Sequence, residues 1–476
     1  MKKFLLMSCV AGVFSAQANA AQIVLDESNK KDLEISVYQN MALVKDSRNV
    51  YLPVGVSELA FSGVAEKMKP ESAVLLAEKM NVLEQNYDYD LITQQNLVQR
   101  YVGKTVKTAI ENPKTGETTF SEAVIISQSY GTPVLKFSYG IDPGFQGRII
   151  FPEVPDDLRA KPTLAAKVDN KTAEKKDVNL MYLTGGLSWD TDYVATVLSD
   201  DKLSLKGWVT VNNVSGIDYK NAKINFVAGD VNAFMANGTR GMAKSLRMNA
   251  VMMADSVQEE SVAYGAPREQ SIGGYHLYNI PFKVDLDDNQ TKQLSLLGAE
   301  DIAYRKELTM SSPLYFSYGS NSNFEKDSPN QTYIIKNSEE SNLGMPLPAG
   351  TVRFYQKDND ESLQFIGENR ISHTAKNEEL KINLGRAFDV FASGSIVGNR
   401  KISDKVYEFD AKIKFTNSGN KASDLVFTQN FPTQFKILKE NEKGEEKDIR
   451  TYKWKLELPA DGVKELEFSV RIIYER

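Results

Sequence analysis

Hydrophobic and polar residues alternate with a period of two over most of the chain. Tyr407, Phe409, Ala411, Ile413 and Phe415 fall on one side, and Glu408, Asp410, Lys412 and Lys414 on the other. Leu466, Phe468, Val470, Ile472 and Tyr474 repeat the pattern against Glu467, Ser469 and Arg471. Side chains on a pleated strand change face at every residue, so the pattern predicts half-buried strands of antiparallel sheets. Between the two runs lies the turn-forming sequence Pro459-Ala460-Asp461-Gly462. Residues 386–476 therefore read as a compact Ig-like sandwich that lacks the Ig disulfide.

Residues 176–385 predict a second β-sandwich region. Leu203, Leu205, Val209 and Val211 alternate, as do Ile224 and Phe226. His276, Tyr278, Ile280, Phe282, Val284 and Leu286 occupy alternate positions of one expected strand. Val352 and Phe354, then Leu363 and Phe365, flank the polar turn Lys357–Glu361 and predict a hairpin. A stretch rich in Ala, Gly, Ser and Met interrupts this region at 232–273, with Met235, Met242, Met248, Met252 and Met253. It reads as a flexible surface loop, or as an adaptable apolar contact, because Met side chains repack cheaply.

Residues 21–88 also read as a β domain, with Leu33, Ile35 and Val37 alternating. Asp90 then stands as the cap of a short helix from Leu91 to about Val98. Brief strands and the turns at Asn112–Gly116 and Tyr130-Gly131 follow. A short helix and about five short strands predict a small SH3-like barrel over 89–150.

The N-terminus changes the setting. Lys2 and Lys3, the apolar run from Phe4 to Phe14, and Ala18-Asn19-Ala20 have the three parts of a signal peptide over 1–20, cleaved after Ala20. Leu6-Met7-Ser8-Cys9 faintly resembles a lipoprotein box, but the apolar run before it is too short. The expected location is periplasmic or secreted. Cys9, the chain's one cysteine, leaves with the signal, so no disulfide or thiolate chemistry is expected. The net charge of −6 becomes −8 once the two signal lysines are gone, which argues against nucleic-acid binding. No later apolar stretch reaches the ~18 residues of a spanning helix. The charges on the second strand face also argue against a membrane barrel.

A set of separated motifs is more specific. Tyr182-Leu183-Thr184-Gly185-Gly186-Leu187-Ser188-Trp189, with Tyr193 beyond it, is followed by Asn213-Val214-Ser215-Gly216, Val227-Ala228-Gly229-Asp230-Val231, Tyr275-His276-Leu277-Tyr278, Leu347-Pro348-Ala349-Gly350 and Phe365-Ile366-Gly367-Glu368. In this order they resemble the bacterial domain-of-unknown-function family numbered 4139, over about 180–476. The resemblance implies a β-rich envelope protein and supplies no chemistry. Family members called mucoidy inhibitor A-like typically carry a helical coiled coil at the N-terminus; this chain has no heptads.

Reactive constellations are sparse. With two histidines, His276 and His373, a three-histidine metal site is impossible. Both read as hydrogen-bonded strand residues, since ligation needs a converging cluster. Gly186-Leu187-Ser188-Trp189-Asp190 lacks the last glycine of a nucleophile elbow. Asp285, Asp287 and Asp288, and Asp358, Asp360 and Glu361, have the density of a calcium site without the EF-hand pattern, and read as turns. Asp88 and Asp90 alternate with Tyr87 and Tyr89 as on an amphipathic strand edge. Trp189, Tyr193 and His276 remain as candidate binding residues; no catalytic residue, metal ligand or cofactor is assigned. The expected protein is mainly β, with stacked antiparallel β-sandwich domains. Its expected role is binding or scaffolding of an envelope protein or glycan. The alternatives are a glycan hydrolase using a carboxylate pair, and a surface adhesin.

Overall fold

A computed structural model describes residues 22–129, 132–155, 157–229, 268–319 and 321–474. The expected signal peptide, and residues 232–267 of the expected Met-rich loop, lie outside the described residues. Thirty-two strands, one α-helix and three short 3-10 turns make up the described elements. The chain is mainly β, in several stacked sheets, as the alternation predicts.

The strands sort into three large cores and one small one. In the first, a four-stranded sheet runs in the order Gln22–Leu25, Gly55–Ser62, Thr163–Asn170, Met80–Asp88. It faces a larger sheet containing Lys30–Val37, Ala42–Leu52, Glu174–Thr184, Tyr219–Ala228 and Tyr275–Asn279. Leu25, Phe61, Leu164 and Val168 from one, and Ile35, Val44, Leu180 and Phe226 from the other, share one buried cluster. Segment 21–88 thus hydrogen-bonds directly with strands of 163–184, for example Ala42–Leu52 with Glu174–Thr184.

The helix spans Gln94–Arg100, later than expected, because Thr93 rather than Asp90 caps it: the Thr93 Oγ1 accepts from the Asn96 N–H at 3.1 Å. Asp90 instead pairs with Arg100 at 2.6 Å. The following unit is a five-stranded antiparallel sheet in the order Gly140–Asp142, Thr132–Phe137, Thr118–Ser129, Thr105–Glu111, Arg148–Ile150. Its small core holds Val98, Tyr101, Val106, Ile125, Leu135 and Phe137. Among the described residues its two outer strands do not pair with each other, so hydrogen bonds do not close the expected barrel.

Two further departures have local causes. The strand expected across His276–Leu286 is two strands, Tyr275–Asn279 and Val284–Leu286, both paired to Tyr219–Ala228. Pro281, which has no N–H to donate, stands between them. Arg268–Ile272, placed in the flexible loop by composition, is an edge strand paired to Tyr275–Asn279. Gly273 (φ +56°) and Gly274 (φ +88°) supply the two positive-φ positions of a tight hairpin turn.

Strand Gln290–Ser311 joins the large cores. At ~3.4 Å per residue, its 22 residues span about 70 Å. Leu294 and Leu296 belong to the first core, Leu297, Ile302 and Tyr304 to the second, and Leu308 and Met310 to the third. A bulge in its pairing at Gly207/Trp208 lets consecutive residues Leu296 and Leu297 both be buried, one in each core. In the third core, Val406–Asn417 and Gly462–Ile473 pair antiparallel with the predicted faces inward. Trp454 is fully buried there, its indole N–H donating to Glu440 at 3.0 Å.

Candidate functional site

The three candidate binding residues converge on structure rather than on open space. Leu187–Val197 carries Trp189 and Tyr193 on its inward face. Tyr193 is fully buried, and its hydroxyl donates to the Pro348 carbonyl at 2.8 Å. Burial pushes that phenol well above its usual range. Tyr278 donates to the Pro346 carbonyl at 3.0 Å. The Ala349 N–H donates to His373 Nδ1 at 3.1 Å, and Leu347 and Thr374 exchange backbone bonds at 2.9 Å. Segment 346–350 is therefore gripped from three sides before it enters strand Gly350–Lys357. A Cβ on Gly350 would stand 2.2 Å from the Thr191 carbonyl, which is why glycine ends this motif. Removing the Tyr193 hydroxyl with Tyr193→Phe orphans one buried carbonyl. It is expected to cost about 1–2 kcal/mol in urea unfolding.

Trp189 is half-buried and packs on Phe226 with ring centroids 5.3 Å apart. Its indole N–H and the adjacent inward hydroxyl of Thr191 have no partner among the described residues. His276 lies two residues from Tyr278 on the hairpin Arg268–Asn279, and its Nδ1 meets Glu269 Oε1 at 2.6 Å. The imidazole is 39% exposed. Phe226 stands opposite Tyr278, and Ala228 opposite His276. Trp189, Phe226 and Tyr278 thus follow one another across the packed strands, and His276 stands two residues further along the hairpin with its imidazole partly in solvent.

The acidic clusters fold as turns except for Asp285, which lies in strand Val284–Leu286. Asp285 accepts the Asn221 N–H at 2.7 Å, and Asp288 accepts the Gly216 N–H at 2.9 Å. Asp287 pairs with Lys220. Asp358 accepts the N–H groups of Asp360 and Ser362 and the Gln364 amide. Those bonds, led by Gln364, hold its carboxyl below the ordinary range. Among the described residues no three His, Cys, Asp or Glu side chains stand in a metal-binding group. No helix there is long and apolar enough to cross a membrane.

Glu408 and Asp410 share one face of a strand, as a hydrolytic carboxylate pair would. Arg471 holds Glu408 at 2.6 Å, and Arg400 reaches Asp410 at 2.8 Å. Arg400, with help from Ser469, lowers the Asp410 carboxyl. A glycosidase general acid needs a raised carboxyl; Asp410 is set the opposite way.

Leu363–Ile371 is an outer strand of the ten-stranded sheet, paired on one side to Gly350–Lys357. Leu363 and Phe365 are each 56% exposed. Phe365 meets Tyr355, its register partner, edge-on at 5.8 Å. Strand Glu379–Arg386 approaches the far half, with Asn369 donating to the Asn383 carbonyl at 2.8 Å, and leaves 363–366 uncovered. The opposite edge of the same sheet is Glu445-Glu446-Lys447-Asp448, four charged residues. Charge on an edge blunts pairing; the Leu363 edge instead presents exposed apolar side chains. The sequence showed these residues only as half of a hairpin.

No protein-family model matches this chain, and no curated protein matches it in sequence.

Proposed function

We propose that this is an exported envelope protein that binds an extended segment of a protein partner by strand addition at 363–366, without catalysing a reaction. Backbone N–H and C=O groups of the edge give affinity, and Leu363, Phe365 and Tyr355 give selectivity through alternate side-chain contacts. The carrying observation is the contrast between the two ends of the main strand path of the ten-stranded sheet: the Glu445–Asp448 end is charged, and the Leu363–Ile371 end exposes Leu363 and Phe365. The motif resemblance over 180–476 points to the same envelope setting, and the signal-like N-terminus to export.

The test places a photo-crosslinking residue at Gln364 and, as control, at Glu446, in cells making the full chain. A discrete adduct is expected at Gln364 alone, with amide-exchange protection of 363–366 in the purified complex. Phe365→Asp should reduce capture at least about tenfold, the equivalent of ~1.4 kcal/mol. Equal labelling at both edges, or capture unchanged by Phe365→Asp, would defeat the reading.

A further inference from the structure

The outer face of the ten-stranded sheet contains an open groove of about 400 Å³ near the junction of the second and third cores. Five neighbouring strands form its floor: Glu379–Arg386, Asn330–Lys336, the end of Gln290–Ser311, Ser423–Asn430 and Thr451–Leu458. Register sets its residues in rows. Asn383 stands opposite Thr332, and Thr332 opposite Glu307. Asn330 stands opposite Thr309, and Thr309 beside Val426. Ser311 stands beside Thr428, and Thr428 opposite Lys453. Residues directly opposite on a sheet share a face, so these hydroxyl, amide and ammonium groups form one continuous surface.

The groove has a surplus of donors. Lys453 makes no ion pair among the described residues, since Glu445, opposite it in register, turns to Lys455, and Lys381 meets Glu379 only at 3.7 Å. Glu307, the one carboxylate in the lining, is held by Arg305 at 2.9 Å. Arg305 also reaches Glu379 at 3.5 Å. Asn383 Oδ1 accepts the Gly385 N–H at 2.9 Å, which leaves its side-chain amide hydrogens to face outward partners. A cationic, hydroxyl-lined concavity on a chain of net charge −6 is complementary to a ligand rich in acceptors and carrying negative charge.

We propose that this groove binds an anionic saccharide. Its acidic group lies against Lys381 and Lys453, and its ring hydroxyls meet Ser311, Thr309 and Thr428. The volume falls within the ~300–1,000 Å³ typical of small-ligand sites. Both ammonium groups are reached by solvent, so binding is modest and weakens with salt. The site is independent of the 363–366 edge.

The test titrates the full chain with trigalacturonate, a phosphorylated trisaccharide, neutral galactotriose and inorganic phosphate, each at low and high salt. At least one acidic saccharide is expected to bind, and which one does so identifies the anion. The neutral trimer is expected not to bind. The double substitution Lys381→Gln/Lys453→Gln should weaken binding at least about tenfold with an unchanged melting temperature. Thr428→Val should weaken it without altering the salt slope. Binding of neither acidic saccharide, equal affinity for galactotriose, indifference to the lysine substitutions, or inorganic phosphate binding as tightly as the saccharide (an adventitious ion only) would each overturn the proposal.

Discussion

Replacing Asp46 with alanine is expected to cost about 3–5 kcal/mol of folding free energy, because it strands a buried guanidinium. Arg48 is fully buried in the first core. Its Nη2 meets Asp46 Oδ2 at 2.6 Å, and its Nε meets both carboxylate oxygens at 3.1 and 3.2 Å. Its Nη1 donates to the Leu25 carbonyl at 2.5 Å and the Ser62 carbonyl at 3.0 Å. The guanidinium also lies 5.0 Å from the Phe61 ring centroid. Leu25 and Ser62 end two parallel-paired strands of the facing sheet, so Arg48 reaches across the sandwich and satisfies carbonyls that no ladder serves. Removing Asp46 leaves the charge, its burial and these duties in place, and removes the compensating carboxylate. Arg48→Lys is expected to be nearly as damaging, since a single ammonium cannot reproduce the fork geometry. The double replacement Asp46→Leu/Arg48→Met should recover much of the loss, since apolar residues of similar volume leave no buried charge. Urea midpoints of the three variants decide the matter. An Asp46→Ala loss below about 1 kcal/mol would mean the pair is not desolvated in solution.

That pair shows how much of the fold was legible. Ala42, Val44, Val50 and Leu52 share the inward parity of one strand, and Asp46 and Arg48 sit on the same parity. Their parity carries the burial of both, but a charged pair inside an apolar row is not distinguished from a change of face until the strand's pairing is known. The strands at 406–417 and 462–473 were plain because their polar faces meet water. Pro281 could have split the 276–286 strand at the outset, and its cost to a ladder is a local property. The uncovered edge at 363–366 was not legible, because which strand ends a sheet depends on pairings between residues far apart in sequence. The groove was hidden for the same reason: Asn383, Thr332, Thr309 and Lys453 become neighbours only through register.

Asparagine gives the deepest example of a pattern that sequence carried unread. Asn170, Asn213, Asn337 and Asn417 are all buried. Each occupies the next inward position after apolar residues of the same parity: Val168, Val211, Ile335 and Phe415 precede them by two. Asn170 donates to the carbonyls of Leu52, Pro53 and Thr172. Asn337 donates to those of Met345 and Ala375, and Asn417 to those of Lys421 and Pro459. At strand ends the ladder stops while the core continues, and a buried amide satisfies the carbonyls that remain.

Asn213→Asp is therefore expected to destabilise the first core by about 3 kcal/mol or more at neutral pH, although the two side chains have the same shape. Asn213 Nδ2 donates to the carbonyls of Ile217, Leu286 and Asp287, at 2.9, 3.3 and 3.0 Å. Its Oδ1 accepts the Ser215 N–H at 3.1 Å and the Ser215 hydroxyl at 2.8 Å, and the Tyr219 hydroxyl lies 3.0 Å from that same Ser215 oxygen. An aspartate keeps the acceptor side and turns a negative oxygen toward three carbonyl oxygens. Burial and those oxygens both favour the protonated acid, so the folded carboxyl of the variant lies above the ~3.9 of an unfolded aspartate. The penalty is then small below that value and grows as pH rises toward the folded pKa. Asn213→Leu removes both sides of the network without adding charge, so its cost of about 2–3 kcal/mol should not change with pH. Chemical unfolding of both variants at pH 4.5 and pH 7, each against the parent chain, separates the two effects. A loss for Asn213→Asp that is the same at both pH values, or no larger than that for Asn213→Leu at pH 7, would show that the three carbonyls are served by water and that the amide is not what closes this strand end.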